Sequence, residues 1–411
     1  MKRNFIYSIV FCFLVLFSFP IIASEAWSKK ADFSGGDREL GIGFSIGSYG
    51  YAGCGRNPAE MNDFWQYDPV SDSWAQVASY PGSGRYGMVG FSIGNFGYAG
   101  TGWIGIGGGA NQFRDFWQYD PGSNSWLQKA DFGGSGRYSA VGFSIGSKGY
   151  VGLGYSPIKN DFWEYDPIGD SWIQMANFPS NRLAAVGFGI GAKGYVGTGY
   201  DNNNNSYRDF YEFDPMANSW TVKSDVPGLF RRGAVGFSVG LTGFVGMGYN
   251  DTTYLTDFFR YDPGTDIWTE AASIGGVPRY GAFAFSMNNY GYVGTGSYGG
   301  IITVIPTHDF YRIEDCGGSG VGIFGNPDHA NSISMLVTSN QHKSLHIKYD
   351  LGYEETALFQ LFDATGRLVL QSTLLPGPNS TSFSVLLSTE IYFYSVSNDG
   401  KKLASGKVLV N

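Results

Sequence analysis

One unit of roughly fifty residues recurs along this chain, and nothing else in it narrows the fold so far. The repeats run from about Arg38 to Glu314, and the third copy reads RYSAVGFSIGSKGYVGLGYSPIKNDFWEYDPIGDSWIQMANFPSN. One Phe of the unit returns at Phe44, Phe91, Phe143, Phe188, Phe237 and Phe285. One Trp returns at Trp27, Trp74, Trp126, Trp172, Trp220 and Trp268, and both series step by 45 to 52 residues. A unit this short cannot bury its own apolar face, so the copies must stack on one another.

Each copy reads as four short strands. VGFSIG is small and apolar, as suits a strand at a crowded centre. GYVGTG follows, with glycines where neighbouring backbones approach closely. DFWEYD is rich in β-formers, and SWIQMA carries the Trp. The Tyr-Asp-Pro step ends the third strand, where Pro presets φ for a turn, and the Asp or Asn just before the Trp tolerates turn geometry. Composition agrees: 62 glycines without a three-residue period, 17% aromatic residues and 15% charged residues describe an all-β chain.

The ends of the array are complementary. The sixth copy starts at Arg279, reaches Asp309-Phe310-Tyr311, and then enters CGGSG with no Trp where one is due. A spare Trp27 precedes the first Arg by 11 residues, the spacing also found from Trp74 to Arg85, Trp126 to Arg137, Trp220 to Arg231 and Trp268 to Arg279. The N-terminal segment is therefore expected to supply the missing fourth strand and close a ring of six units, which leaves no long free sheet edge.

The repeated Arg, the Gly-rich second strand, the Tyr-Asp-Pro turn and the Trp together resemble the kelch family, in the galactose-oxidase-like variety, with Gly152-Leu153-Gly154 replacing the usual paired glycines. The resemblance covers residues 26–315 and implies a six-bladed kelch-type β-propeller.

The flanks differ. Lys2 and Arg3 precede an apolar stretch from Phe5 to Phe17, then Pro20 and small residues at Ala23, Ser24 and Ala26. Residues 1–25 read as a secretory signal peptide rather than a membrane anchor, because the run is short for a ~20-residue span. Residues 316–331 are a Gly-rich linker. Residues 332–411 hold strand–turn–strand patterns such as LFQLFDATGRLVLQS and are expected to form a small β-sandwich. Leu361-Phe362-Asp363, Gly366-Arg367, Ile391-Tyr392-Phe393 and Lys407-Val408-Leu409-Val410 resemble the C-terminal sorting domain of type IX secretion, although Glu390 and Ser339-Asn340 depart from its pattern. That resemblance implies export to the outer cell surface through outer-membrane secretion machinery, no transmembrane helix in the mature protein, and usually removal of the domain. A retained binding sandwich is the alternative.

Several functions are excluded or lack support. A net charge of −8 without a basic run argues against a nucleic-acid partner. Only Cys12, Cys54 and Cys316 are present, and the repeat region has the single His308, so the ligands of a copper-radical oxidase cannot be assembled. No cofactor or grouped metal ligands are visible, and the Asp201 loop with its asparagines is a weak Ca²⁺ candidate beside the reading of a solvated loop. Cys54 and Cys316 are expected too far apart to pair. Asp63, Asp115, Asp161, Asp209, Asp257 and Asp309 repeat in every copy, as do Arg38, Arg85, Arg137, Arg182, Arg231 and Arg279. Six-fold repetition points to Arg–Asp pairs that support each blade, against a ring of anion-binding arginines.

Length varies mainly between the second and third strands: Tyr150 to Asp161 spans 11 residues, and Tyr98 to Asp115 spans 17. Variable loops on a rigid scaffold are where binding usually resides. They carry the candidates Arg56, Trp103, Arg114, Tyr155, Tyr200, Arg208, Tyr249, Tyr298 and His308. Tyr155, Tyr200 and Tyr249 either stack on a ligand or pack on the next blade. Trp103, amid glycines too flexible to bury it, is the sharper binding candidate. Three functions follow: a surface module binding a glycan or protein, a sugar-active enzyme of the sialic-acid mutarotase kind, or a structural or adhesive surface protein. No catalytic motif singles out the second.

Overall fold

The computed structural model describes residues 27–105, 111–299 and 304–314, and in the C-terminal region 332–338, 344–351, 356–363, 367–374, 377–384, 391–398 and 401–409. The signal segment, the linker with Cys316, and Ser339, Asn340, Gly366, Glu390 and Val410 lie outside the described residues. Every regular element among those described is a strand, and no helix there could cross a membrane.

Six four-stranded sheets form a six-bladed β-propeller. The third blade is representative, with antiparallel strands Val141–Ile145, Lys148–Gly152, Phe162–Asp166 and Ser171–Met175. In the first strand Val141, Phe143 and Ile145 are buried and alternate with half-buried Gly142 and Ser144. The same alternation recurs in all six first strands, and these pack side by side around the axis. Each first-strand Phe lies against a second-strand Gly of the next blade: a Cβ added at Gly149 would sit 2.5 Å from the Phe91 ring.

The ring closes as the spacing predicts. Trp27–Lys30 pairs antiparallel with Phe310–Glu314, so the N-terminal strand completes the sixth blade. The Trp27 indole donates to the Ala272 carbonyl at 2.8 Å, and its ring lies 4.8 Å from Phe258 of the fifth blade. Equivalent latches join the other blades. Trp172 donates to the Ala130 carbonyl, while Asp170, at φ 45°, accepts from the Ala130 N–H at 2.9 Å and the Tyr165 hydroxyl at 2.7 Å.

The repeated Arg and Asp form the expected pairs within each blade. Arg38–Asp63, Arg85–Asp115, Arg137–Asp161, Arg182–Asp209, Arg231–Asp257 and Arg279–Asp309 are all ion-paired, with the Arg side chains buried. Arg137 holds both Asp161 oxygens at 2.7 Å and also donates to the Leu153 carbonyl at 2.9 Å. Leu153 is the middle residue of Gly-x-Gly, and in all six blades that residue has positive φ, from 56° at Cys54 to 62° at Thr198. The buried guanidinium thus fixes a strained turn. Cys54 is a buried free thiol, pushed up to about 12 chiefly by burial.

A second six-fold feature lies two residues beyond each Arg. The N–H of Leu40 donates to Gly281, Gly281 to Gly233, Gly233 to Ala184, Ala184 to Ser139, Ser139 to Gly87 and Gly87 back to Leu40, at 2.7 to 3.1 Å. This closed circle of backbone hydrogen bonds girdles the axis at the start of the first strands. Every member has positive φ, and the three non-glycine side chains Leu40, Ser139 and Ala184 are held there by the circle.

The C-terminal region is also all-β. Ser332–Thr338, Ser344–Leu351 and Gly377–Ser384 form one sheet; Leu368–Leu374, Ala357–Phe362, Ile391–Asn398 and Lys401–Leu409 form another. Ala357–Phe362 pairs with Leu368–Leu374 and Ile391–Asn398 with Lys401–Leu409, and Arg367 pairs with Asp363 at 2.8 Å.

Candidate functional site

Above the backbone circle, each blade contributes two residues at the axis: the one after the repeated Arg and the one after Gly-x-Gly. They face each other as isolated bridges: Glu39–Arg56, Tyr86–Trp103, Tyr138–Tyr155, Leu183–Tyr200, Arg232–Tyr249 and Tyr280–Ser297. Backbone position is dictated by the frame, while side-chain identity varies freely around the ring. These twelve residues make up a ring, termed the basin, on the face that carries the variable loops.

Its walls are uneven. The second and third blades bring together Tyr86, Trp103, Tyr138 and Tyr155. Trp103 lies edge-on to Tyr86 at 5.3 Å and stacks on Tyr138 at 5.3 Å with 21° between planes. Tyr138 meets Tyr155 at 5.3 Å, and Tyr155 keeps 40% of its surface exposed. An arginine caps each end of this arc. Arg56 lies over Tyr86 at 4.2 Å, and Arg232 lies over Tyr200 at 4.5 Å. Guanidinium over an aromatic face is a favourable electrostatic contact, and it locks each ring in place.

Both arginines are neutralised locally. Arg56 binds Glu39 Oε1 at 2.7 Å, and the Ser297 hydroxyl donates to Glu39 Oε2. Arg232 binds Asp251 at 2.6 Å. Burial raises the phenol of Tyr138 to about 12 and also lifts Tyr86, Tyr200 and Tyr280, so all four are protonated hydroxyls at neutral pH. The surrounding phenols act on one another: Tyr200 adds to the shift of both Tyr138 and Tyr280, and Glu39 adds to that of Tyr280.

The nine sequence candidates divide by position. Arg56, Trp103, Tyr155, Tyr200 and Tyr249 line the basin. Tyr200 meets the next blade through Arg232, whereas Tyr155 and Tyr249 contact rings of their own blades, Tyr138 and Tyr254. Trp103 requires a correction: it is half-buried, with the rings of Tyr86 and Tyr138 against it. Arg114, Arg208 and His308 occupy one equivalent position nearer the outer strands, where Arg114 pairs with Asp131 at 3.2 Å, Arg208 with Asp225 at 3.5 Å and His308 with Asp37. Tyr298 belongs to a short two-stranded sheet, paired with Ile305.

Sequence reasoning passed over Glu39, Tyr86, Tyr138, Arg232 and Tyr280. Their signal was present: directly after an Arg repeated six times, the next residue runs Glu, Tyr, Tyr, Leu, Arg, Tyr. The Asp201 carboxylate is occupied by its own loop, accepting from the Asn203 and Asn205 N–H groups and from the Tyr207 hydroxyl at 2.8 to 3.0 Å. Among the described residues no group of three or more His, Cys, Asp or Glu could hold a metal ion.

The sheets define a six-bladed β-propeller with an aromatic-rich ring of side chains about its axis on one face. Among solved structures 398 chains match this architecture. One, described as "Structure of YjhT", aligns with TM-score 0.57 at 16% identity, over 68% of this chain and 95% of that one. At that identity the likeness speaks for the fold alone. No protein-family model matches the chain, and no curated protein sequence does.

Proposed function

We propose that this chain is a secreted or cell-surface propeller of the kelch type that binds a glycan through the axial basin on its looped face. The carrying observation is the aromatic arc of Trp103, Tyr138, Tyr155 and Tyr200 over three consecutive blades, backed by the buried Tyr86 and bracketed by Arg56 and Arg232. Rings offer apolar faces to the C–H faces of sugars, and phenol hydroxyls both donate and accept, as sugar hydroxyls do. Fold alone assigns no ligand, so the reading rests on these side chains. A glycan array on the intact protein tests it, with Trp103→Ala as control. Truncating an aromatic anchor costs about 2 kcal/mol, or roughly thirtyfold in affinity. Turnover of free sugars would instead indicate a sugar-active enzyme, and silence in both assays a structural or protein-binding role.

Export through type IX secretion, with residues 332–411 as the sorting domain, accompanies this reading. Support comes from the Leu361-Phe362-Asp363, Ile391-Tyr392-Phe393 and Lys407-Val408-Leu409 motifs, which lie on paired strands of one sheet or directly at its turn. Mass spectrometry of the termini of mature surface protein checks it: an intact Asn411 would overturn removal of the domain.

A further inference from the structure

The polar groups of the basin fall into two sets. The charged groups are matched: Arg56 with Glu39, Glu39 with Ser297, and Arg232 with Asp251. The phenols of Tyr138, Tyr200 and Tyr280 are not, since none makes a hydrogen bond to any described residue. Tyrosines that serve the scaffold are treated differently. Tyr67, Tyr119, Tyr165 and Tyr261 each donate to the Asp or Asn of the adjoining turn at 2.6 to 2.9 Å. Hydroxyls to which the protein supplies no partner are free to donate to and accept from a ligand. These three come from the third, fourth and sixth blades, and all occupy the paired axial positions. Two Arg stand against three carboxylates, Glu39, Asp251 and Glu60, the last of which accepts from the Gly105 N–H beside Trp103 and Tyr86, so the basin carries one net negative charge. An acidic ligand would therefore meet like charge there or have to break an existing pair.

We propose that the axial basin selects an uncharged sugar ring, held end-on by the hydroxyls of Tyr138, Tyr200 and Tyr280, and discriminates against acidic sugars. The inference rests on the glycan-binding reading above and names its ligand class. Titration calorimetry on the full chain tests it, with neutral oligosaccharides ending in glucose, galactose, mannose or N-acetylglucosamine set against those ending in glucuronate or a sialic acid, at low and high salt. A neutral sugar is expected to bind, with affinity unchanged by salt. Tyr280→Phe and Tyr200→Phe should each weaken it about fivefold, the loss of one neutral hydrogen bond. Neither variant should melt lower than the parent, because each loses an unpaired hydroxyl and keeps the ring. Tighter binding of acidic sugars with steep salt dependence, or unchanged affinity in both Phe variants, would overturn the neutral-sugar assignment and leave glycan binding standing. Binding of no glycan by the parent protein would overturn both.

Discussion

The Arg–Asp pairs make opposite demands on stability and on binding, and Arg137→Ala separates them. The Arg137 side chain is fully buried, holds both oxygens of Asp161, and donates to the Leu153 carbonyl at the strained Gly-Leu-Gly turn. The Phe132 ring lies 4.7 Å from its guanidinium carbon. Truncation removes all of these contacts and leaves a carboxylate with 19% side-chain exposure that keeps only the Trp163 indole at 2.8 Å. Breaking one partner out of a buried pair costs about 3–5 kcal/mol. In a domain of this size each kcal/mol moves the melting temperature by about 2 °C, so a fall of roughly 6–10 °C is expected. Differential scanning calorimetry reads it.

Two companions sharpen the result. Arg137→Lys keeps the charge and loses the fork, so it should recover only part of the loss. Arg137→Ala with Asp161→Ala should melt above Arg137→Ala alone, because the uncompensated carboxylate is gone. Any glycan that binds should do so with unchanged affinity in all three, since these groups lie beneath the basin residues and do not line it. A melting temperature within a degree of the parent, together with lost ligand affinity, would refute the structural role and revive the ring of anion-binding arginines.

Acid should weaken the propeller through the same groups. Burial opposes ionisation of Asp161 and Asp309, yet Arg137 and Arg279 hold both carboxyls below their usual value of 3.8; at Asp72, Asp170 and Asp266 burial is likewise outweighed, by tyrosine hydroxyls and backbone N–H groups. A depressed folded-state pKa gives stabilisation that is full above about 3.8 and lost as pH falls through the folded values. Melting temperature should thus be flat near neutrality and drop steeply below pH 4, less steeply in the Arg137→Ala, Asp161→Ala double variant; parallel curves would contradict this. Trp27→Ala removes the indole bond to Ala272 and the contact with Phe258, and should cost about 3 kcal/mol, the lower end for a large aromatic because Trp27 is only half-buried. Limited proteolysis should then cut first within residues 27–30, and a pattern identical to the parent's would show that the seam does not depend on this residue.

The scaffold was legible because it is written six times. Spacing alone identified the Trp27 closure, and the repetition of Arg and Asp marked them as support rather than chemistry. The backbone circle through Leu40, Gly87, Ser139, Ala184, Gly233 and Gly281 was not legible, since its residues share a conformation and not a side chain. Loop length drew attention to the periphery as well as to the centre. It therefore grouped Arg114, Arg208 and His308, which pair near the outer strands, with Trp103 and Tyr200, which line the axis. Length reports where a chain tolerates insertion, but not which way its side chains turn.

The basin owes its variability to the two fixed features that flank it. Below and outside, a buried Arg ties the turn to an Asp; one residue past the basin position, a left-handed residue joins the circle of backbone bonds. The residue between them has its backbone held from both sides, and its side chain carries none of the blade's hydrogen bonding in Tyr138, Leu183 or Tyr280. Such a position can change from Glu to Tyr to Leu to Arg without rebuilding the blade, as the six copies do within this one chain. Recognition can then be altered one blade at a time at little cost to the fold. Leu183, the one aliphatic residue in its ring of six, is the exception: it is buried against Ile158 and Ala184 with Tyr138 and Tyr200 packed on it, so a polar replacement there would cost core packing.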